Sequence, residues 1–287
     1  MCLEKLSELK HQPVILKSSQ MLGGGCINQA MRLTTSGGDF FVKWNANAPV
    51  DMFAKEAAGL NEMRQSENPF LKIPEVIWYS EVGDEPGILI LEYLQPTGGS
   101  GLSDLHLGSG LAQLHRKTAS RFGFYHDNYC GTTVQDNSWC ANWSEFYAQN
   151  RIWRLVQQIS QKRGMPPSDQ KIYEKLVERM PVLLAHSTVP SLIHGDLWSG
   201  NYMNTTNGPA LIDPACSYAD REMELAMMKL FGGFSVSVWS AYQETFPLPY
   251  DWQQRIRLYQ LYHILNHQLL FGGSYGWQAL EIAREYL

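Results

Sequence analysis

The residues best suited to chemistry lie in one short stretch. His194-Gly195-Asp196-Leu197-Trp198-Ser199-Gly200-Asn201 is followed closely by Leu211-Ile212-Asp213-Pro214. Two carboxylates, Asp196 and Asp213, and one carboxamide, Asn201, are thus separated by short strand-like pieces. Hard oxygen donors of this kind suit Mg²⁺, which prefers a few carboxylates beside phosphate oxygens and water. Any one Asp or Asn could be an ordinary turn former. The whole string at these spacings points instead to phosphoryl transfer, where one carboxylate takes a hydroxyl proton and the other two groups hold the metal.

Such a site needs a cation and a phosphate-covering loop from elsewhere in the chain. On the strand-like run Asp39 to Trp44, Phe41 and Lys43 share one face by alternation. On the helix-like run Asp51 to Gln65, Phe53, Glu56, Leu60 and Met63 fall at steps of three, four and three, so Glu56 lies within the apolar stripe. A carboxylate buried without a cation is costly. Lys43 is its natural partner, and the pair would hold the ammonium against the α- and β-phosphates. Upstream, Leu22-Gly23-Gly24-Gly25-Cys26-Ile27-Asn28 lets backbone amides approach a phosphate. It matches neither a Walker A string nor G-x-G-x-x-G. Glu92-Tyr93-Leu94 stands where an adenine could bond to backbone.

The elements that must position these groups divide the chain in two. The first ninety-odd residues read as strands with one helix: Ala30 to Thr34 and Asp39 to Trp44 around Ser36-Gly37-Gly38, then Pro74 to Tyr79 and Gly87 to Tyr93. Asp51 is a plausible cap for the helix. Pro96-Thr97-Gly98-Gly99-Ser100-Gly101 is the most linker-like stretch. Beyond it, Ser103 to Lys117, Trp143 to Ser160, Ser168 to Ala185, Asp220 to Phe231 and Tyr250 to Leu270 read as helices. Short strand-like pieces fall at Ser191 to Ile193, Tyr202 to Asn204 and Ala210 to Ile212. The pattern is α+β, with a β-rich part over residues 1–95 and a mainly helical part over 96–287.

Composition excludes several classes. With 287 residues, 44% hydrophobic and only 18% charged, the chain has material for a sizeable core and is not disordered. A formal charge of −5 lacks the basic excess of a nucleic-acid binder. No apolar run approaches the length of a membrane span, and residues 1–12 lack an apolar signal core. The five cysteines are scattered without a C-x-x-C pair, which indicates reduced thiols in a cytoplasmic protein. A monomer or homodimer is expected.

With glycine loop, strand lysine, helix glutamate, His-Gly-Asp…Asn and Ile-Asp-Pro in this order, the chain resembles the kinase-like phosphotransferases. More narrowly, it resembles the fructosamine kinase (ketosamine 3-kinase) family. That likeness rests on His194 to Asn201, on Ile212-Asp-Pro-Ala-Cys-Ser-Tyr-Ala-Asp-Arg-Glu222, and on Leu230-Phe-Gly-Gly-Phe234. Phe122-Gly-Phe, Asp127-Asn128, Gly131-Thr132 and Leu261-Tyr-His-Ile-Leu-Asn-His267 extend it across nearly the whole chain. Ser217-Tyr218-Ala219 departs from the two aromatics and glycine common in the family.

The resemblance implies a bilobal protein-kinase-like fold, with ATP and Mg²⁺ bound between the lobes and a free or protein-bound ketosamine phosphorylated at its sugar 3-hydroxyl. Asp196 would orient the acceptor hydroxyl and take its proton, while Asn201 and Asp213 hold Mg²⁺. Lys43, fixed by Glu56, would neutralise charge on the phosphates. Gly23, Gly24, Gly25 and Asn28 would cover the nucleotide, and Glu92, Tyr93 and Leu94 would bind adenine. His194 would scaffold the loop by hydrogen bonding and Asp220 would anchor its backbone. Trp198 would either stack on the acceptor or fill the core. The alternatives are a small-molecule kinase for an amino sugar, choline or sugar, and a nucleotide-binding module without turnover.

Two local expectations remain. Only six residues separate Asp213 from Asp220, too few for the activation segment of a peptide kinase, and Pro214 should hold Asp213 extended and prevent it from toggling. Cys26, in the glycine loop, is a candidate redox thiol whose oxidation would reduce ATP use.

Overall fold

The computed structural model of the chain describes residues 1–23, 28–81 and 86–287. Helix α1 (Cys2–Lys10) precedes strands β1 (Leu16–Leu22), β2 (Gln29–Thr35) and β3 (Gly38–Asn45). Helix α2 (Met52–Arg64), β4 (Val76–Tyr79) and β5 (Gly87–Glu92) follow. The strands form an antiparallel sheet in the order β1-β2-β3-β5-β4. The β2–β3 turn is tight because Thr35 Oγ1 accepts from the Gly37 amide at 3.0 Å and donates to the Gly38 carbonyl at 2.8 Å. Gly38 has φ +117°, a conformation that side chains rarely adopt.

Strand alternation sends Phe40 and Val42 to one face of β3, where they pack with Leu6 of α1, Leu33, Ile88 and Ile90. Phe41 and Lys43 take the other face, toward α2. There Phe53, Ala57, Leu60 and Met63 of α2 are buried with Leu89 and Leu91 of β5. Each such large side chain contributes about 1.5–3 kcal/mol by leaving water. Asp51 stands at the N-cap position of α2, but its side chain does not cap the helix. Its Oδ1 accepts from Tyr129 Oη at 2.6 Å instead, which overturns the expected cap.

The remainder is mostly helical: α3 (Gly101–His115), β6 (Asn128–Cys130), β7 (Thr133–Gln135), α4 (Trp143–Phe146), a π-helical turn (Tyr147–Trp153), α5 (Arg154–Arg163) and α6 (Pro167–Leu183). Then come β8 (Ser191–Ile193), β9 (Tyr202–Thr205), β10 (Gly208–Leu211), β11 (Ser217–Ala219), α7 (Arg221–Phe231), α8 (Val236–Thr245), a 3₁₀ turn (Trp252–Arg255), α9 (Ile256–Phe271) and α10 (Tyr275–Glu285). The core under α2 is continuous with Leu107 and Leu111 of α3, Leu211 of β10 and Leu225 of α7, so apolar packing crosses the linker-like stretch. A second core joins the π turn, α5, α6, α9 and α10 through Tyr147, Val156, Leu176, Leu265 and Ile282.

Several elements differ from their sequence-based expectation. The helix expected over 143–160 is broken by the π turn, and the one expected from residue 250 begins at Ile256 after the 3₁₀ turn. Strand β1 carries no alternation, because Leu16 to Met21 are all exposed on the sheet edge. Helix α10 follows Gly272-Gly273 and contains Gly276, which mask its start. No helix among the described residues is long and apolar enough to cross a membrane.

Candidate active site

Lys43 reaches across from β3 to both of its acidic neighbours. Its Nζ lies 2.8 Å from Glu56 Oε1 and 2.8 Å from Asp213 Oδ1, joining the sheet, α2 and the Ile-Asp-Pro segment at one point. Lys43 and Glu56 are buried, whereas the Asp213 side chain is 45% exposed. Burial alone would lower the lysine pKa, but Asp213 and Glu56 outweigh it and hold the ammonium charged.

The backbone at Asp213 is not extended as expected before a proline. Its φ is +56°, in the left-handed region. The proline ring acts mainly through ψ of its predecessor, so the sign of φ is left to other contacts. Here the ion pair to Lys43 holds the carboxylate. A non-glycine residue in such a conformation costs about 1–3 kcal/mol and persists where its surroundings over-determine it.

The loop bearing Asp196 is fixed from three sides. Strands β8 and β11 pair, and the Ala215 amide donates to the His194 carbonyl at 2.8 Å. That approach requires glycine at 195, where φ is +86° and a Cβ would sit 2.1 Å from the Ala215 carbonyl oxygen. From below, Glu224 on α7 accepts from the His194 amide at 2.8 Å and the Gly195 amide at 2.7 Å. The Glu224 carboxylate also meets His115 Nε2 at 3.1 Å, and His115 Nδ1 meets Tyr242 Oη at 2.8 Å. Because a carboxylate only accepts, Nε2 carries the proton and Nδ1 accepts from the tyrosine. Burial disfavours the Glu224 charge, but His115 and the loop amide bring its pKa below the usual carboxylate range.

This arrangement corrects the role expected of Asp220. That residue caps α7 through the Glu222 amide at 3.0 Å and accepts from Tyr259 Oη at 2.6 Å, with His186 Nε2 also at 2.6 Å. The His194 and Gly195 amides go to Glu224, one helical turn further on. In Asp-Arg-Glu-Met-Glu, positions 220 and 224 are four apart and both acidic, so they share a helix face and spacing alone does not tell which one serves the loop.

His194 is buried and neutral, its pKa lowered by burial. Its Nδ1 accepts from the Asp196 amide at 3.3 Å, so Nε2 donates to the Ile212 carbonyl at 2.8 Å. The ring thereby ties the loop to the segment carrying Asp213. Asn201 Nδ2 donates to the Asp196 carbonyl at 2.8 Å and approaches Asp196 Oδ2 at 3.3 Å. Burial, with Asp213 adding to it, pushes the Asp196 carboxyl up to about 7. Trp198 does not fill the core: the residue is 37% exposed and its ring lies over Gly200, where a Cβ would be 2.3 Å from it.

Other expected residues are placed as follows. Asn28 Oδ1 accepts from Asn45 Nδ2 at 3.1 Å, and a side chain at Gly23 would meet nothing within 4 Å. Gly24, Gly25 and Cys26 lie outside the described residues, and with them the redox expectation. The Glu92 amide donates to the Glu75 carbonyl at 2.9 Å and its carboxylate pairs with Lys72 at 3.0 Å, so neither faces a nucleotide freely. The Arg32 guanidinium stacks on Tyr93 at 4.3 Å, and Leu94 is buried.

The donor set fits Mg²⁺. Glu56 and Asp213 meet at the single ammonium of Lys43, and the Asp213 charge adds to burial in raising the Glu56 and Asp196 carboxyls. The excess of hard, anionic oxygen, with one partly exposed carboxylate, is what a divalent cation balances.

The fructosamine kinase family model matches residues 2–287. A protein-ribulosamine 3-kinase, chloroplastic, from Oryza sativa subsp. indica is 38% identical over 93% of this chain and 78% of its own length. A protein assigned as a ketoamine kinase in Vibrio cholerae is 35% identical over 99% of this chain and 98% of its own. The crystal structure of a protein assigned as a fructosamine-3-kinase from Thermobifida fusca superposes with a TM-score of 0.85 at 31% identity, covering 98% of this chain and 96% of that one. An aminoglycoside phosphotransferase APH(4)-Ia shares the fold alone, with a TM-score of 0.63 at 14% identity over 98% of this chain and 97% of its own.

Proposed function

Since the chain belongs to the fructosamine kinase family, we propose that it transfers the γ-phosphoryl group of ATP to the 3-hydroxyl of a ketosamine. The observation that carries the phosphoryl-transfer reading is Lys43, which bridges Glu56 and Asp213 at 2.8 Å and so brings three distant stretches of sequence to one point. The ketosamine as acceptor is supported by the family and by the relatives' names.

Asp196 orients the acceptor hydroxyl and takes its proton as the oxygen attacks phosphorus. A carboxyl raised to about 7 is matched to proton transfer near neutrality. Lys43 neutralises charge on the phosphates and is kept in place by Glu56. Asp213 and Asn201 would hold Mg²⁺, which supplies charge neutralisation on the β- and γ-phosphate oxygens when bound. Glu224 and His194 keep the loop rigid, so the rate comes mainly from positioning and preorganised charge. The product phosphate is labile, and its loss with release of the amine would reverse glycation. A cytosolic setting suits the free thiols Cys2, Cys130, Cys140 and Cys216.

The test is ADP release with fructosyl-lysine and ribulosyl-lysine, comparing wild type with Asp196→Asn. Turnover should vanish in the variant while ATP-Mg still raises its melting temperature. A variant that keeps turnover would remove Asp196 from the chemistry.

A further inference from the structure

Helix α9 brings an unused polar group to the catalytic carboxylate. His263 is 1% exposed, and its Nδ1 is buried with no hydrogen-bond partner. A buried polar atom left unmet is costly and calls for an explanation. That nitrogen lies 4.0 Å from Asp196 Oδ1, too far for a direct hydrogen bond. The other carboxylate oxygen, Oδ2, is the one approached by Asn201. The two oxygens of Asp196 are therefore distinguished: Oδ2 faces the metal-side amide, and Oδ1 faces His263.

Asn266, on the next turn of α9, donates to the Cys130 carbonyl at 3.2 Å and lies 3.3 Å from its Sγ, while Thr133 Oγ1 donates to Asn266 Oδ1 at 2.5 Å. Tyr262 Oη donates to Gln135 Oε1 at 2.7 Å, so α9 is pinned to the β6–β7 hairpin on both sides of His263. Cys130, Asp196 and His263 approach one another closely enough to suggest a soft metal. The fully buried Arg151 guanidinium, which bears electrostatically on both Cys130 and His263, opposes a second cation there.

We infer that His263 is an acceptor-positioning residue, whose neutral imidazole donates from Nδ1 to a sugar hydroxyl held between it and Asp196 Oδ1. Two groups 4.0 Å apart can both reach one oxygen at about 2.8 Å. The hydroxyl donates its proton to Asp196 and accepts from Nδ1–H, which leaves its remaining lone pair for phosphorus. A neutral donor suits this place, because a lysine or arginine would pair with Asp196 and weaken it as a base. The site would take a polyol, and the ketosamine named above is the polyol considered; the inference rests on that reading.

The test is steady-state ADP release with fructosyl-lysine for wild type, His263→Leu, His263→Asn and His263→Gln, alongside melting temperatures and the KM for ATP. Asparagine returns an amide nitrogen to the Nδ1 position; glutamine carries it one bond too far. His263→Leu and His263→Gln should lose about 10- to 100-fold in kcat/KM for the acceptor, with the ATP KM within about twofold of wild type. His263→Asn should recover most of the loss. Should leucine destroy the fold, the asparagine–glutamine contrast decides alone. Equal activity in all variants, or an asparagine variant as poor as glutamine, overturns the inference while leaving the ketosamine reading intact. A wild type inactive on every ketosamine removes both.

Discussion

Replacing Glu224 by glutamine should separate the positioning of the catalytic loop from nucleotide binding. The carboxylate accepts from three donors, the His194 and Gly195 amides and His115 Nε2, and is fully enclosed. A carboxamide has only one accepting oxygen and presents an NH₂ group to whichever donor faces its nitrogen. One charge-assisted bond is lost, and two donors are left confronting each other without water. Such a loss is worth about 1.5–3 kcal/mol in stability. The same change lets the His194–Gly195 backbone move relative to Asp213. Misplacement of a reacting group by about 1 Å can cost on the order of 100-fold. Glu224→Gln should therefore lower kcat for ketosamine phosphorylation by about 10- to 100-fold, with the ATP KM shifted by no more than about threefold. Coupled ADP release and urea unfolding give the two numbers. A variant destabilised as stated but with kcat within twofold of wild type would show that Glu224 only holds the fold, and the positioning argument would fail.

Three further outcomes follow from other contacts. Gly195→Ala, whose Cβ would lie 2.1 Å from the Ala215 carbonyl, should be inactive or unfolded; soluble, active protein would contradict the close approach. Lys43→Met leaves the buried Glu56 without its cation, so the protein should lose about 3–5 kcal/mol and bind ATP poorly; unaltered ATP-induced thermal stabilisation would disprove the assignment. His263, lowered by burial to about 3 against an ordinary 6.5, stays neutral when folded. Because its folded pKa is depressed, its stabilising contribution is whole above pH 6.5 and is lost as pH falls toward 3. The stability difference between wild type and His263→Asn should thus move by about 2 kcal/mol against wild type between pH 7.5 and 5. A pH-independent difference in urea midpoints would refute it.

The site was legible where residue type and spacing both carried information. Glu56 in an apolar stripe and Lys43 on a strand face needed only helical and strand periodicity to be matched, and they meet at 2.8 Å. Asp213 shows where local reasoning stops: the following proline suggested extended backbone, but a contact to a lysine 170 residues away holds the left-handed conformation. Glu224 and Asp220 are a similar case. Both are acidic residues at the start of α7, and only the packing of α7 against β8 shows which one reaches the loop. His263 could not be read at all, since a histidine among Leu, Tyr and Ile on a helix looks like core until its unbonded nitrogen is seen beside Asp196. Helices α8 and α10 and the three-residue strands β6, β7 and β11 were missed because each is too short, or too rich in glycine and β-branched residues, for periodicity to emerge; β8, equally short, was read at Ser191 to Ile193.

The most direct measurement is the position of the phosphate in the product. Fructosyl-lysine incubated with the protein, ATP and Mg²⁺ should give one new ³¹P resonance coupled to the proton on sugar carbon 3. It should then decay to inorganic phosphate as free lysine appears. Phosphate on another hydroxyl, or ADP formed with no phosphorylated sugar, would contradict the account.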